Sequence, residues 1–280
     1  MILPPGVHRF LKVCMAFQSW VLVTGGALRL GREMSLAFAR AGWHVLCHYR
    51  HSQAPALALC DELRALGVQA QAIGGELDTQ AHCQAVFDAA RALSGSQLRC
   101  IVHNASLFEP DTGRDFDEAQ ALAQLQVNLL APMHLGKWLA ALHTDDTPSP
   151  DAPRASVVHV LDQKVFNLNP DYFSYTLSKL ALERAVGLQA QALAPQVRVN
   201  AVAPGLMFLS GPQSEENFAL ASRANLLREP IDARDVAQSA VFLAQNNALT
   251  GTTIRADNGQ HLVPTARDIM FVADEWMKRS

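Results

Sequence analysis

The stretch WVLVTGGALRLGREMSLAFARA, Trp20 to Ala41, decides the fold. Trp20 to Thr24 is a short apolar strand, Gly25 to Gly31 a glycine-bearing turn, and the residues to Ala41 carry a helical pattern. Outward from it, apolar runs and helical patterns alternate, the signature of βαβ units in a parallel sheet. The runs predict further strands near 43–48, 68–73, 98–103, 155–161, 196–202 and 252–256. The patterns between them predict helices near 31–41, 53–66, 79–93, 116–143, 172–194 and 232–245, with another helical pattern over Glu215 to Arg228. The fold class expected is α/β: one domain, a doubly wound parallel sheet of about seven strands with helices on both faces. Residues 19–262 form that domain. Residues 1–18, with Pro4, Pro5 and Gly6, read as a loose extension, and Met15 is an equally sensible start. Residues 263–280 form a tail whose apolar piece, Ile269 to Trp276, is a candidate for a subunit interface. Thr144 to Arg154, rich in Pro and Asp, reads as a surface loop.

Composition narrows the function. A chain of 280 residues with net charge −3 and interspersed charges has no electrostatic footprint for nucleic acid or an anionic membrane. No run reaches the roughly 20 apolar residues of a membrane span. The apolar pieces around Phe10 to Phe17 are broken by Lys12 and make a poor signal peptide. Cys14, Cys47, Cys60, Cys83 and Cys100 are scattered singly, so no metal site is expected, and the protein reads as cytoplasmic.

In a doubly wound sheet a ligand lies beyond the strands' C-terminal ends, where strand order reverses. Gly25 and Gly31 let the backbone approach a pyrophosphate, and the following helix N-terminus favours its charge. Tight strand-to-helix turns need glycine in any case, so the turn alone is weak evidence. The second strand ends at Cys47-His48-Tyr49-Arg50-His51-Ser52. An NAD site normally offers a carboxylate there; a basic residue suits a 2′-phosphate. No Asp or Glu is present, and Arg50, His51 and Ser52 can all donate to phosphate oxygens, which predicts NADPH. Arg50 capping a solvated strand edge is the plainer alternative.

A second stretch carries the chemistry: VVHVLDQKVFNLNPDYFSYTLSK, Val157 to Lys179. Its strand stops at Asp162, and Tyr175 and Lys179 follow one helical turn apart. A nearby cation lowers a phenol's pKa, which makes Tyr175 a better proton shuttle. Such pairs also arise by chance on helix surfaces, and Asp162 alone could cap the loop after the strand. His103 and His159 read as satisfied core histidines.

Over residues 20 to 262 the chain resembles the short-chain dehydrogenase/reductase family. The matching residues are Thr24-Gly25 through Gly31, His103-Asn104-Ala105-Ser106, Val127-Asn128, Tyr175-Thr176-Leu177-Ser178-Lys179, and Arg198-Val199-Asn200 through Pro204-Gly205. Within the family it is most similar to the pteridine and dihydromonapterin reductases. Arg29 replaces the usual middle glycine, Asn104-Ala105-Ser106 is followed by Phe108, and Asp162 stands where a serine is usual, thirteen residues before Tyr175. The resemblance implies a Rossmann-type sheet and a homo-oligomer, tetramer before dimer, packed through the helices of Asn128 and Tyr175. It implies that Tyr175 donates the proton, Lys179 binds the nicotinamide ribose and depresses the tyrosine pKa, and Asn128 holds a relay water. Gly25, Ala27, Arg29, Leu30, Gly31, His48, Asn104, Ala105, Ser106, Leu77, Pro204 and Gly205 are the further cofactor contacts it implies. Glu76, in Gly75-Glu76-Leu77 where the family usually has Ala-Asp-Leu, reaches adenine only with a longer arm. Arg29, Ser106, Phe108, Leu206 and Met207 are the implied pterin contacts, beside Asp162 and Tyr175. Phe108 would stack on the ring, and the segment after Gly205 would cover it.

Asp162 separates substrate classes. A ketone reducer needs a hydrogen-bond donor toward an oxygen gaining negative charge, and an ionised carboxylate repels that oxygen. Reduction of a pterin C=N bond needs a proton on ring nitrogen, which a carboxyl group of raised pKa can relay. The expectation is an NADPH-dependent pterin reductase acting on dihydromonapterin, dihydrobiopterin or dihydrofolate. The alternatives are a short-chain reductase of another carbonyl or imine, and a catalytically idle NADPH-binding protein.

Overall fold

In the computed structural model, residues 19–146, 154–211 and 213–279 are described. The extension 1–18 and most of the Pro/Asp-rich loop lie outside them. Seven strands form one sheet: β1 (Trp20–Val23), β2 (His44–Tyr49), β3 (Ala70–Gly74), β4 (Leu98–His103), β5 (Ala155–Val160), β6 (Val197–Pro204) and β7 (Thr253–Ala256). All pairings are parallel, in the order β3-β2-β1-β4-β5-β6-β7. The order reverses between β1 and β4, so the crevice expected of such a sheet opens there.

Both faces of the sheet are covered, which is why its central strands read as continuous apolar runs rather than alternating ones. In β1, Val21 and Val23 enter one core with α1 (Arg29–Arg40), α2 (Gln53–Ala65) and α8 (Ala233–Gln245). Trp20 and Leu22 point the other way, toward α3 (Gln80–Ser94) and α5 (Ala131–Leu142). The period of two along a strand thus feeds two separate hydrophobic layers.

Two helices depart from expectation. The helix expected over 116–143 is α4 (Glu118–Leu125), a π turn (Gln126–Leu130) and α5. That local widening carries Asn128, a type of irregularity that periodicity does not report. The helix expected over 215–228 is only α7 (Glu215–Ala221); its pattern is cut where Asn225 turns its amide back to the Ser222 and Glu229 carbonyls. The C-terminal tail, read as a candidate interface, is helical. It forms α9 (Ile269–Met277), capped by Asp268, and buries Ile269, Met270 and Ala273 against its own chain. Between them, α6 (Phe173–Leu193) runs along the sheet and starts from Tyr172, a buried aromatic residue at φ 54°. A left-handed conformation is rare for a bulky side chain and marks this helix start as locally strained.

Candidate active site

Beyond the C-terminal ends of β1, β4 and β5 lies a cleft of about 760 Å³, within the size range of small-molecule sites. One end is built on the glycine turn. Thr24 Oγ1 donates to the Val102 carbonyl and accepts from the amides of Asn104 and Ala105. The Asn104 amide donates to the carbonyls of Thr24 and Gly25, both at 3.0 Å. Gly25 has φ 61°, and a Cβ on Gly31 would lie 2.0 Å from the Gly25 carbonyl oxygen and 2.7 Å from Asn104 Nδ2. Glycine is therefore required at position 31 by packing. The N-cap of α1 is Leu28, with no side chain to satisfy the first amides of the helix, which leaves them to an anion. Arg29 takes up the left-handed conformation (φ 51°) at the position where the family usually has glycine. Ala27 and Leu30 are buried beneath the turn.

Arg50, His51, Ser52 and Glu76 line the same end of the cleft. Arg50 Nε lies 2.7 Å from Glu76 Oε2, so the guanidinium is held by a carboxylate that spacing alone did not pair with it. His48 also borders the cleft, but both its ring nitrogens serve the backbone. Nδ1 accepts from the Gly25 amide and Nε2–H donates to the Gly75 carbonyl. Burial lowers its pKa to about 4, consistent with that neutral tautomer. His48 thus braces the Gly25 and Gly75 backbones at the edge of the cleft, and Leu77 lines the cleft while packing into the core.

The other end gathers the residues of the second stretch. Tyr175 donates its hydroxyl to Asp162 Oδ2 at 3.0 Å, and Asp162 Oδ1 accepts from the Lys164 amide at 2.8 Å. Lys179 donates from Nζ to the Val160 carbonyl at 2.8 Å. Burial raises the Asp162 pKa above the usual carboxylate range, against the Lys164 amide, the Lys164 charge and Tyr175. Burial, and then the charge of Asp162, push the Tyr175 phenol well above its ordinary value. Lysine at one helical turn predicts the opposite direction. Burial is the first reason, and the geometry adds to it: Lys179 Nζ is 5.7 Å from the centre of the Tyr175 ring and is bonded to Val160, whereas the carboxylate touches the phenol. Burial also brings Lys179 down to about 8.

Asn128, on the π turn, accepts from Ser106 Oγ and the Leu107 amide. It donates to the Leu107 carbonyl and to Ser178 Oγ. Its side chain ties the Ser106 segment to α6. Phe108 is partly exposed, stacked on Tyr172 with centroids 4.1 Å apart and edge-on to Tyr175. Leu206, Met207 and Phe208 wall this end. Arg29 crosses the cleft, donating to the Leu209 carbonyl at 2.9 Å with its guanidinium over the Phe208 ring. Pro204 ends β6, and Gly205 is followed by the Leu206 amide, which donates to Gln260 Oε1.

Sequence reasoning missed Tyr172, Lys164, Gln260 and Asp268, although the last three line the cleft. Lys164 was within reach, two residues after Asp162. Asp268 enters from a tail about a hundred residues away, and no spacing rule connects them. His103 and His159 contact each other through Nδ1 at 2.9 Å, and His159 Nε2–H donates to Gln189. Both are held neutral by burial, and His103 Nε2 has no partner. Among the described residues no group of three or more His, Cys, Asp or Glu is placed to hold a metal ion, and no helix is long and apolar enough to cross a membrane.

A glycine-braced anion cradle and a buried phenol–carboxyl–ammonium group, opening into one cleft of a doubly wound sheet, define a nucleotide-dependent oxidoreductase. Residues 26–261 match the family model described as enoyl-(acyl carrier protein) reductase, and the chain belongs to the short-chain dehydrogenase/reductase family. It is 30% identical to Pteridine reductase 1 of Leishmania tarentolae over 283 residues, covering 86% of this chain and 96% of that protein. It is 27% identical to a dihydromonapterin reductase of Escherichia coli O6:K15:H31 (strain 536), with the same coverage of 86% and 96%. Among solved structures it is similar to FolM alternative dihydrofolate reductase 1 of Brucella canis, complexed with NADP. That likeness has a TM-score of 0.82 and 32% identity, and covers 91% of this chain and 98% of that one.

Proposed function

We propose that the protein is an NADPH-dependent reductase of pterins, of the dihydromonapterin, dihydrobiopterin or dihydrofolate type. The observation that carries the reading is the hydrogen bond between Tyr175 and Asp162, a carboxyl group of raised pKa where a ketone reducer has a hydroxyl. The similarity to pterin reductases supports it independently. NADPH, when bound, supplies a hydride to carbon. The residues present fit that cofactor: the helix after the Gly25–Gly31 turn has no side-chain cap on its first amides, which are left to an anion, and Arg50, His51 and Ser52 offer donors for a 2′-phosphate. Arg29, Asn104 and Lys179 are the further polar groups assigned to cofactor binding.

Tyr175 holds the proton that a ring nitrogen takes up as the C=N bond is reduced. Asp162, whose pKa burial raises, accepts the phenol's hydrogen bond and, when protonated, returns a proton to the phenolate once Tyr175 has given its own to the ring nitrogen. Lys179 keeps a positive charge against the developing phenolate and against Asp162. Asn128 fixes the Ser106–Phe108 segment, and Phe108, backed by Tyr172, presents an aromatic face to a flat ring. Leu206, Met207 and Phe208 exclude water from the reacting atoms.

Leu122, Leu130, Leu177 and Leu188 are exposed on α4, the π turn and α6, which supports a homo-oligomer packed through these helices; sedimentation velocity tests the proposed order, tetramer before dimer. The cysteines at 47, 60, 83 and 100 are buried and unpaired, in keeping with a cytoplasmic enzyme. The substrate class is tested by Asp162→Ser, assayed with a dihydropterin and with a panel of ketones. Pterin reduction should fall more than any ketone activity. Equal loss on both would sink the reading.

A further inference from the structure

Lys164 is 3% exposed, and an ammonium is buried at high cost unless it is paired. Its amide donates to Asp162 Oδ1 at 2.8 Å. Its ammonium donates to Asn169 Oδ1 at 2.6 Å and Asp268 Oδ2 at 3.0 Å, and lies 5.5 Å from the centre of the Tyr172 ring. Asp268 is held in turn. Its amide donates to Asp171 Oδ2, Arg267 pairs with the same carboxylate, and its Oδ1 caps α9. One residue therefore touches the reacting carboxyl group with its backbone and the C-terminal segment with its side chain.

We propose that Lys164 and Asp268 are a positioning pair for Asp162, holding the 162–164 turn to the C-terminal segment and balancing the charge beside the carboxyl group. The inference rests on the reading of Asp162 as the proton-relaying residue. Four ionisable groups face that carboxyl: Tyr175 and Lys179 from α6, Lys164 from its own turn, and Asp268 from the segment before α9; Asp171 and Arg267 form the row behind. Lys164 favours the ionised form of Asp162 and Asp268 disfavours it. The two members of the pair thus act on Asp162 with opposite sign. A purely structural pair loses the same packing whichever member is removed.

The test reads Asp162 directly. The full chain is labelled with 13Cγ-aspartate, and the Asp162 resonance is assigned by its loss in Asp162→Asn. Lys164→Gln should raise the titration midpoint of Asp162 and Asp268→Asn should lower it, each by about one pH unit, the effect of a neighbouring unit charge. The double variant should return near the parent. The pH profile of kcat for dihydropterin reduction should move in the same directions. Asparagine caps helices about as well as aspartate, so Asp268→Asn keeps α9. Should Lys164→Gln fail to fold, the downward movement in Asp268→Asn decides alone. Midpoints that stay put, or that move the same way in both variants, would overturn the pair. Opposite movements in a protein that reduces no dihydropterin would leave the pair standing and remove the reading of the substrate.

Discussion

Lys179→Met separates what the chain needs for folding from what it needs for chemistry. In the fold the ammonium is 3% exposed and its pKa is about 8, against an ordinary 10.5, with burial as the cause. Each pKa unit corresponds to about 1.4 kcal/mol, so the buried charge costs about 3 kcal/mol wherever both folded and unfolded chains are protonated. The sign follows. Below about pH 8 the cost is fully present; between 8 and 10.5 the unfolded chain binds more protons than the folded one, and stability rises with pH. Methionine removes the charge and keeps most of the volume, but leaves the Val160 carbonyl without its donor, a loss of about 1 kcal/mol. The variant should therefore be more stable than the parent by about 2 kcal/mol at pH 7. That gain should shrink toward zero by pH 10, while turnover is lost. Urea unfolding of the ligand-free protein at both pH values, with equal m-values, measures it. A variant less stable than the parent at pH 7 would refute the claim that Lys179 is kept for function against the interest of the fold.

Three further outcomes follow from the cleft. Gly31→Ala places a methyl group 2.0 Å from the Gly25 carbonyl, so the turn must open; NADPH binding, followed by fluorescence titration, should be abolished even where circular dichroism shows a folded chain. Arg50→Ala removes charge-assisted bonds to the 2′-phosphate, worth about 1.5–3 kcal/mol, and should weaken NADPH binding roughly 10- to 150-fold with little change for NADH. A parallel loss for both cofactors would show that Arg50 acts only through its pair with Glu76. Asp162→Ser, assayed as described above, distinguishes imine from ketone chemistry.

The fold was largely legible because its signals are local and repeated. Most buried strands are short apolar runs, and a glycine or an Asp/Asn follows β1, β3, β4, β5, β6 and β7 within two residues. The site was legible where one stretch carries several of its parts: Asp162, Tyr175 and Lys179 lie within eighteen residues and meet as spacing suggested. What escaped is set by tertiary contacts. The direction of the Tyr175 shift is set first by burial of the phenol and then by the Asp162 carboxylate that touches it, whereas helical spacing names only the lysine. The inward turn of His48 depends on its neighbours Gly25 and Gly75, which belong to different βα units. The π turn that carries Asn128 is a departure from the period by which helices are recognised. Asp268 comes from the chain's last helix, whose apolar face reads equally well as an interface or as self-packing.

The central claim is tested most directly by following NADPH oxidation at 340 nm with dihydromonapterin, dihydrobiopterin and dihydrofolate, beside a panel of ketones. Turnover with at least one dihydropterin, well above that with any ketone, is the result predicted. No turnover with any of the three, in a protein that binds NADPH, would contradict it.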